Sequence, residues 1–218
     1  MGLSGDGDKF SLIGAIAGMS GMICNVLCAK RNISNYFFGL LNVTLYAWIA
    51  WQNRIYGDVA LNLIYYLPMQ FVGFFTWYKR RDVESEEDKS AVKVKRLSRK
   101  QRIKLLVLMG IIIFVTGFIL KRYTSDPQPF KDSATTIISI VAMLLMVATF
   151  VEQWWLWIAV NIISTVMWIY AYQSGGEGSG EMIIKWFFNL ANSINGYIVW
   201  SKAVKKQTET PYSTLRQV

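Results

Sequence analysis

Seven long apolar stretches follow one another along the chain, and the charged residues are concentrated between them. The stretches cover roughly residues 10–29, 33–51, 58–78, 103–120, 134–151, 154–172 and 182–200. Each is close to the length of about 20 residues that crosses a hydrocarbon core as a helix. None shows the alternation of apolar and polar residues that is typical of barrel strands. The pattern therefore predicts an all-α polytopic membrane protein with seven transmembrane helices.

A short sequence signature occurs twice at the ends of these stretches. The third stretch ends in the pattern G-x-x-x-W-x-K at Gly73–Lys79, and the seventh repeats it at Gly196–Lys202. We interpret stretches one to three (residues 10–78) and five to seven (residues 134–200) as two copies of a three-helix unit. A single additional crossing, residues 103–120, would give both copies the same orientation. The sequence thus predicts a 3+1+3 arrangement of two parallel repeats.

Basic residues are distributed unevenly between the two sides of the predicted membrane. Eleven of the 23 Lys and Arg residues lie between Lys79 and Lys104, and the tail 201–218 is also basic. Because cytoplasmic loops carry the excess of Lys and Arg, the linker 79–102 and the tail are predicted to be cytoplasmic, with the N-terminus outside. The net charge of +9 is then mainly a signal of topology, and no nucleic-acid partner is expected. The run 93–104 suits either solvent or contact with anionic membrane lipid.

Polar and aromatic residues at helical spacing mark one face of the third stretch and one face of the seventh. Residues three and four positions apart share a helix face, and polar side chains are costly inside a membrane. The face of the third stretch contains Asn62, Tyr66, Gln70, Gly73 and Trp77. The face of the seventh contains Lys185, Asn189, Asn192, Gly196 and Trp200. Pro68, in the third stretch, removes a backbone hydrogen bond and allows a kink. Aligning the two glycines sets Gln70 opposite Ser193, and the two faces are predicted to line a central pathway.

The sixth stretch carries a more specific pattern, W-x-x-W-x-x-x-N, continued by a further tryptophan. Its residues are Trp154, Trp157, Asn161 and Trp168. A similar but weaker pattern in the second stretch consists of Asn35, Phe38, Asn42 and Trp48. In this interpretation Asn35 and Phe38 take the places of Trp154 and Trp157. Indole rings stack on flat ligands and attract cations, and amides both donate and accept hydrogen bonds. The combination, without carboxylates, is typical of a site for a flat, uncharged or cationic aromatic ligand.

The W-x-x-W-x-x-x-N pattern, the 3+1+3 arrangement and the paired G-x-x-x-W-x-K ends together resemble the Pnu family of vitamin transporters, over about residues 10–202. Within that family the similarity is greatest to the members that carry nicotinamide riboside. The resemblance implies a fold related to SWEET sugar transporters, a homotrimer, and a location in the bacterial inner membrane. It also implies facilitated diffusion of the small-molecule substrate nicotinamide riboside, followed by trapping through a cytoplasmic riboside kinase. Trp154, Trp157 and Asn161 match the family motif, whereas the other candidate residues rest on helical spacing.

Several other functions would need residues that this sequence does not provide. The chain has no His and no paired carboxylates inside the predicted spans, so neither an enzyme nor a metal or other cofactor site is expected. The interiors of the predicted spans also contain no Asp, no His and no centrally placed Glu. Proton-coupled carriers usually keep such titratable groups near the midplane, so a uniporter is favoured. Cys24 and Cys28, one helical turn apart, are interpreted as packing residues. Transport of another vitamin, thiamine or riboflavin, and SWEET-like sugar transport remain as alternatives.

Overall fold

The computed structural model describes residues 4–81, 91–125, 128–175 and 179–213, and within these ranges it is helical apart from turns and isolated bridges. The helices are α1 (Ser4–Ala29), α2 (Asn35–Gln52), α3 (Tyr56–Ala60), a π-helical segment (Leu61–Tyr66), α4 (Leu67–Lys79), α5 (Arg99–Tyr123), α6 (Pro129–Val147), α7 (Gln153–Gln173) and α8 (Ser179–Ser213). Because α3, the π-helical segment and α4 are continuous, they form one long helix, Tyr56–Lys79. A helix is present for each of the seven predicted stretches, so the all-α prediction is confirmed.

Contacts within the chain divide it into two units, Met1–Lys93 and Val94–Val218. In the first unit, α2 packs on α1 and on the long helix. In the second unit, α7 packs on α6 and α8, and α5 packs on α6. The predicted linker 79–102 and tail 201–218 lie partly outside the described residues, which do not include 82–90 and 214–218. The predicted repeat boundaries stay predictions.

Among the described residues, four helical stretches are long and apolar enough to cross a membrane on length and composition. They are Leu12–Ala29, Tyr56–Lys79, Arg99–Tyr123 and Pro129–Val147. The remaining long helices are α2, α7 and α8. Large apolar side chains are widely exposed on the described surface, for example Ile64, Phe37 and Phe114. An apolar exterior of this kind fits a protein that is surrounded by lipid rather than water.

The long helix Tyr56–Lys79 changes helix type just before Pro68. Pro68 has no N–H, and its ring crowds the carbonyl of Ile64 four residues earlier, so regular α-helical hydrogen bonding cannot continue through this turn. The π-helical segment Leu61–Tyr66 accommodates the interruption with wider i→i+5 turns. Inside it, the buried Asn62 donates its side-chain amide to the Asp58 carbonyl at 2.8 Å. The irregularity expected at Pro68 is therefore a local change of helix type.

An apolar cluster holds α5, α6 and α7 of the second unit together. It consists of Leu97, Met109, Ile138, Ala142, Leu145, Leu156 and Val160. Beside it, the hydroxyl of Thr116 on α5 lies 2.8 Å from the hydroxyl of Ser133 on α6. Gly117 leaves room for the ring of Phe130. These contacts fix α5 to α6, while most other side chains of α5 are exposed, as expected for a helix that faces lipid.

Candidate functional site

One side of α7, here called the α7 face, is lined by polar and aromatic side chains at spacings of four, four, three and four residues. Its members are Gln153, Trp157, Asn161, Ser164 and Trp168. Gln153, Asn161 and Ser164 are buried, whereas both tryptophans are half-buried. The face is therefore accessible mainly at its tryptophans. The sequence interpretation included Trp157, Asn161 and Trp168. It missed Gln153, although the spacing of four residues before Trp157 was a signal that could have found it.

Asn161 connects the α7 face to α8 through a buried hydrogen bond. Its side-chain amide donates to the Ser193 hydroxyl at 2.8 Å, and the two residues are only 5% and 4% exposed. A buried amide needs such a partner, because leaving it unpaired costs about 1–3 kcal/mol. The other candidates on α8, Asn189 and Asn192, are half-buried. The structure thus brings the predicted amide of α7 against the predicted polar helix α8.

Trp154 fills the gap between α7 and α8 beside Gly196. A Cβ atom on Gly196 would lie 2.5 Å from the Trp154 ring, which meets Trp200 edge-on at a centroid distance of 5.8 Å. Trp154 is 3% exposed, and its indole N–H has no hydrogen-bond partner among the described residues. The fold therefore uses Trp154 in helix packing, and its predicted contact with a ligand stays a prediction.

The first unit contains the same arrangement, built from Tyr36, Gly73 and Trp77. Gly73 lies against the Tyr36 ring with no room for a Cβ atom, and Tyr36 meets Trp77 edge-on, with the centroids 5.1 Å apart and the planes at 86°. We call this combination of a ring, a glycine and a supporting tryptophan the aromatic wedge in either unit. It gives the duplicated G-x-x-x-W signature a packing role, because glycine admits the ring and tryptophan supports its edge.

The turns that precede α2 and α7 define how residues of the two units correspond. Arg31 and Thr149 both have a left-handed backbone conformation, with φ of 62° and 63°. In each turn the next N–H bonds to the carbonyl five residues back, at 2.9 and 2.8 Å. Matching the turns pairs Tyr36 with Trp154. The sequence interpretation had paired Asn35 with Trp154, which differs by one residue because it followed the amide spacing and did not include the turn.

The remaining candidates of the first unit are largely used by the fold. Asn42 donates to a backbone carbonyl of α1 at 2.7 Å and so ties α2 to α1. Gln70 is buried against Gly39, and its amide donates to the Tyr66 carbonyl in a long bond of 3.4 Å. Its own carbonyl oxygen has no hydrogen-bond partner among the described residues. Tyr66 is half-buried and Trp48 is exposed. Gln70 is thus the candidate here whose buried polar group remains partly available.

A buried carboxylate fixes the start of α7. Glu152 directly precedes the helix, pairs with the Arg102 guanidinium at 2.9 Å and accepts the backbone N–H of Leu97 at 3.1 Å. The Glu152 side chain is 5% exposed and the Arg102 side chain 31%. The first turn of α7, including Gln153 and Trp154, is thereby attached to the segment that leads into α5.

Glu152→Gln should lower the free energy of unfolding by about 1–2 kcal/mol, because it leaves Arg102 without its partner charge at a partly solvated site. Thermal unfolding of the purified protein in detergent would show this as a decrease in Tm. Asp132→Asn is the matched control, since the Asp132 carboxylate is about half exposed and pairs with Lys131 at 3.3 Å. Exposed pairs contribute little. Equal changes in Tm for the two variants would contradict a stabilising role for Glu152.

Comparison with known proteins places this geometry in context. The chain matches the family described as "Nicotinamide mononucleotide transporter" over residues 11–202. It is 37% identical over 199 residues to the "Nicotinamide riboside transporter PnuC" of Neisseria mucosa, covering 91% of this chain and 75% of that protein. A protein of the same name from Haemophilus influenzae is 33% identical over 198 residues, covering 90% and 82%. A solved structure, "Crystal structure of the Vitamin B3 transporter PnuC", is similar with a TM-score of 0.76 and 36% identity, covering 90% of this chain and 83% of the other.

Proposed function

The chain belongs to the nicotinamide mononucleotide transporter family, and from that premise we propose that it carries nicotinamide riboside across a membrane. Members of this family are transporters, so the chain is a multi-pass membrane transporter and not an enzyme. The single observation that supports the substrate most directly is the similarity to the solved vitamin B3 transporter, which extends over nearly the whole chain in both sequence and fold.

The chemistry of the α7 face supports the same substrate. Nicotinamide riboside combines a pyridinium cation, a carboxamide and ribose hydroxyls. Trp157 and Trp168 can stack on the cationic ring, at about 0.5–2 kcal/mol for each cation–π contact. Asn161 and Ser164 can hydrogen-bond the hydroxyls or the carboxamide.

Nicotinamide mononucleotide differs from the riboside by a phosphate group. Proteins hold phosphates with Arg, Lys or the N-termini of helices. The five residues of the α7 face are uncharged, and the helix begins directly after the Glu152 carboxylate, which disfavours a phosphate at that N-terminus. The unphosphorylated riboside is therefore the better match to this face, and a phosphorylated product would be poorly accepted for export. This supports trapping by a cytoplasmic kinase after entry.

The other candidate residues are proposed as ligand contacts within their own units. In the second unit they are Trp154, Asn189 and Asn192. In the first unit they are Asn42, Trp48, Asn62, Tyr66 and Gln70. Gln70 has the best support because its buried carbonyl oxygen has no hydrogen-bond partner among the described residues. Asn42 and Asn62 have the least, since their amides already donate to backbone carbonyls.

We further propose the parallel 3+1+3 arrangement, with residues 10–78 and 134–200 as the repeats and residues 103–120 as the connecting helix. An aromatic wedge in each unit and the matching turns before α2 and α7 support a duplicated origin. The basic linker 79–102 and tail 201–218 would face the cytoplasm of a bacterial inner membrane, with the N-terminus outside. Assembly as a homotrimer and the link to a riboside kinase rest on the family resemblance.

Uptake by purified protein in liposomes tests the proposed function. Labelled nicotinamide riboside should enter until its internal and external concentrations are equal, with the same pH and sodium concentration on both sides, because a uniporter only equilibrates its substrate. Unlabelled nicotinamide riboside should compete at lower concentrations than nicotinamide mononucleotide, thiamine or riboflavin. Liposomes without protein are the control. Stronger competition by thiamine or riboflavin would contradict the substrate, and accumulation driven by a proton or sodium gradient would contradict facilitated diffusion.

A further inference from the structure

Gln153, the first residue of the α7 face, has a buried side-chain amide without a hydrogen-bond partner. It is 0% exposed, and neither its Nε2 nor its Oε1 atom has a partner among the described residues. Buried amides are usually paired, because removing them from water without new hydrogen bonds is costly. An amide held in this state is suited to a ligand that supplies an acceptor and a donor together.

The corresponding residue of the first unit shows that the turn does not by itself leave a side-chain amide without a hydrogen-bond partner. Matching the turns pairs Gln153 with Asn35, which is also 0% exposed. Asn35 donates its amide to the Asn32 carbonyl, three residues back, at 2.7 Å, so that only its oxygen stays unpaired. Gln153 is one methylene longer, and its amide does not bond the equivalent carbonyl of Phe150. Of the two units, the second alone presents an unpaired donor and an unpaired acceptor at this position.

From this contrast we propose that Gln153 recognises the carboxamide of the substrate and makes the transporter selective for the amide form of the vitamin over its carboxylic acid form. The inference rests on the proposed function. Two primary amides can form a pair of hydrogen bonds, in which the N–H of each donates to the carbonyl oxygen of the other. A carboxamide thus supplies both of the partners that Gln153 lacks.

Trp157 stands at a suitable distance from Gln153 for this arrangement. It lies four residues further along α7, which corresponds to about 6 Å along the helix axis. Trp157 packs against the apolar cluster of the second unit and is half-buried, so that part of the residue stays accessible. The pyridinium ring would stack on Trp157 while its carboxamide reaches Gln153. Asn161, one turn beyond, would then lie on the ribose side.

The proposed pairing should give the wild-type protein a measurable preference for nicotinamide riboside over nicotinic acid riboside. A carboxylate in the same place could accept from Nε2, but it would set an oxygen against Oε1 and leave that acceptor unpaired. Nicotinamide riboside should therefore bind about 10- to 100-fold more tightly than nicotinic acid riboside. Titration calorimetry of the purified full-length protein with each compound measures the ratio directly.

Two substitutions at Gln153 test the proposal. Gln153→Asn shortens the side chain so that its amide can donate back to the turn, as Asn35 does, and it should fold for the same reason. We expect it to weaken nicotinamide riboside binding by about tenfold and to reduce the preference over nicotinic acid riboside below about threefold. Gln153→Met, which keeps the length and removes the amide, should give the same result. Gln52→Asn, at an exposed position on α2, is the matched control and should keep both affinity and preference.

The outcomes separate this inference from the proposed function. Wild-type preference retained in both Gln153 variants would overturn the role of Gln153 while leaving nicotinamide riboside as the substrate. Failure of the wild-type protein to bind nicotinamide riboside would overturn the proposed function instead. Size-exclusion chromatography and Tm identify any variant that does not fold, and if Gln153→Met fails in this way, Gln153→Asn decides.

Discussion

Gly196→Ala is expected to lower the free energy of unfolding by about 1–3 kcal/mol, because the added methyl group overpacks a buried contact. A Cβ atom at this position would lie 2.5 Å from the ring of Trp154. The ring has little room to retreat, since it is 3% exposed and already meets Trp200 edge-on. Separating α7 from α8 would relieve the overlap but would strain the hydrogen bond between Asn161 and Ser193, two helical turns away. The substitution should therefore reduce both stability and nicotinamide riboside binding.

Thermal unfolding in detergent, followed by tryptophan fluorescence, measures this effect. For a chain of this size, each kcal/mol should lower Tm by about 2–4 °C. Gly110→Ala on α5 is the matched control, because a Cβ atom there would have no neighbour within 4 Å. Alanine is also the better helix former, so the control should be neutral or slightly stabilising. A Gly196→Ala protein with the Tm and affinity of the control would show that the aromatic wedge is not tightly packed.

Asn161→Ala is expected to weaken nicotinamide riboside binding by at least about tenfold, which corresponds to the loss of one well-formed hydrogen bond in a buried site. The change removes an amide from the α7 face and leaves the Ser193 hydroxyl buried without its donor. Ser193→Ala removes the other partner but keeps the Asn161 amide available to the ligand. Its effect on affinity should accordingly be smaller, although its effect on stability should be similar.

Calorimetric titration of the two single variants and the double variant separates these contributions. If Asn161 acts only by joining α7 to α8, the two single variants should lose equal affinity and the double variant should lose no more. If it also contacts the ligand, Asn161→Ala should lose more than Ser193→Ala. Asn195→Ala, at an exposed position on α8, is the matched control. Unchanged affinity in Asn161→Ala would place the binding site elsewhere.

The helices were predictable from the sequence because their positions follow from apolar length, whereas their ends depend on local backbone geometry. The fifth predicted stretch ran to residue 151, but α6 ends at Val147 because Thr149 adopts a left-handed conformation. The fourth began at residue 103, whereas α5 begins at Arg99 because Ser98 and Gln101 form a reciprocal capping box. The seventh ended at residue 200, but α8 continues to Ser213, since a helix can extend through charged and polar residues that end an apolar stretch.

The candidate site was predictable only where the helix is regular. On α7, uniform spacing predicts Trp157, Asn161 and Trp168 on one face, and the helix is α-helical throughout these residues. Gln153 was missed because a glutamine at the start of a span resembles a solvated end, and its burial depends on neighbours that spacing does not reveal. In the long helix of the first unit, the π-helical segment shifts Asn62 relative to Gln70, so the spacing rule for an α-helix does not apply between them.

The aromatic wedge of the second unit also has a mechanical consequence. It places a rigid contact near the first turn of α7, and the helix extends about 28 Å from Trp154 to its last residue. If α7 tilted about this contact by about 10°, its far end would move by about 5 Å, close to the pitch of one helical turn. The distance between α7 and α8 at Gly196 would hardly change. A tilt of this kind would change the distance between α7 and α8 far from the aromatic wedge while the wedge itself stays in contact.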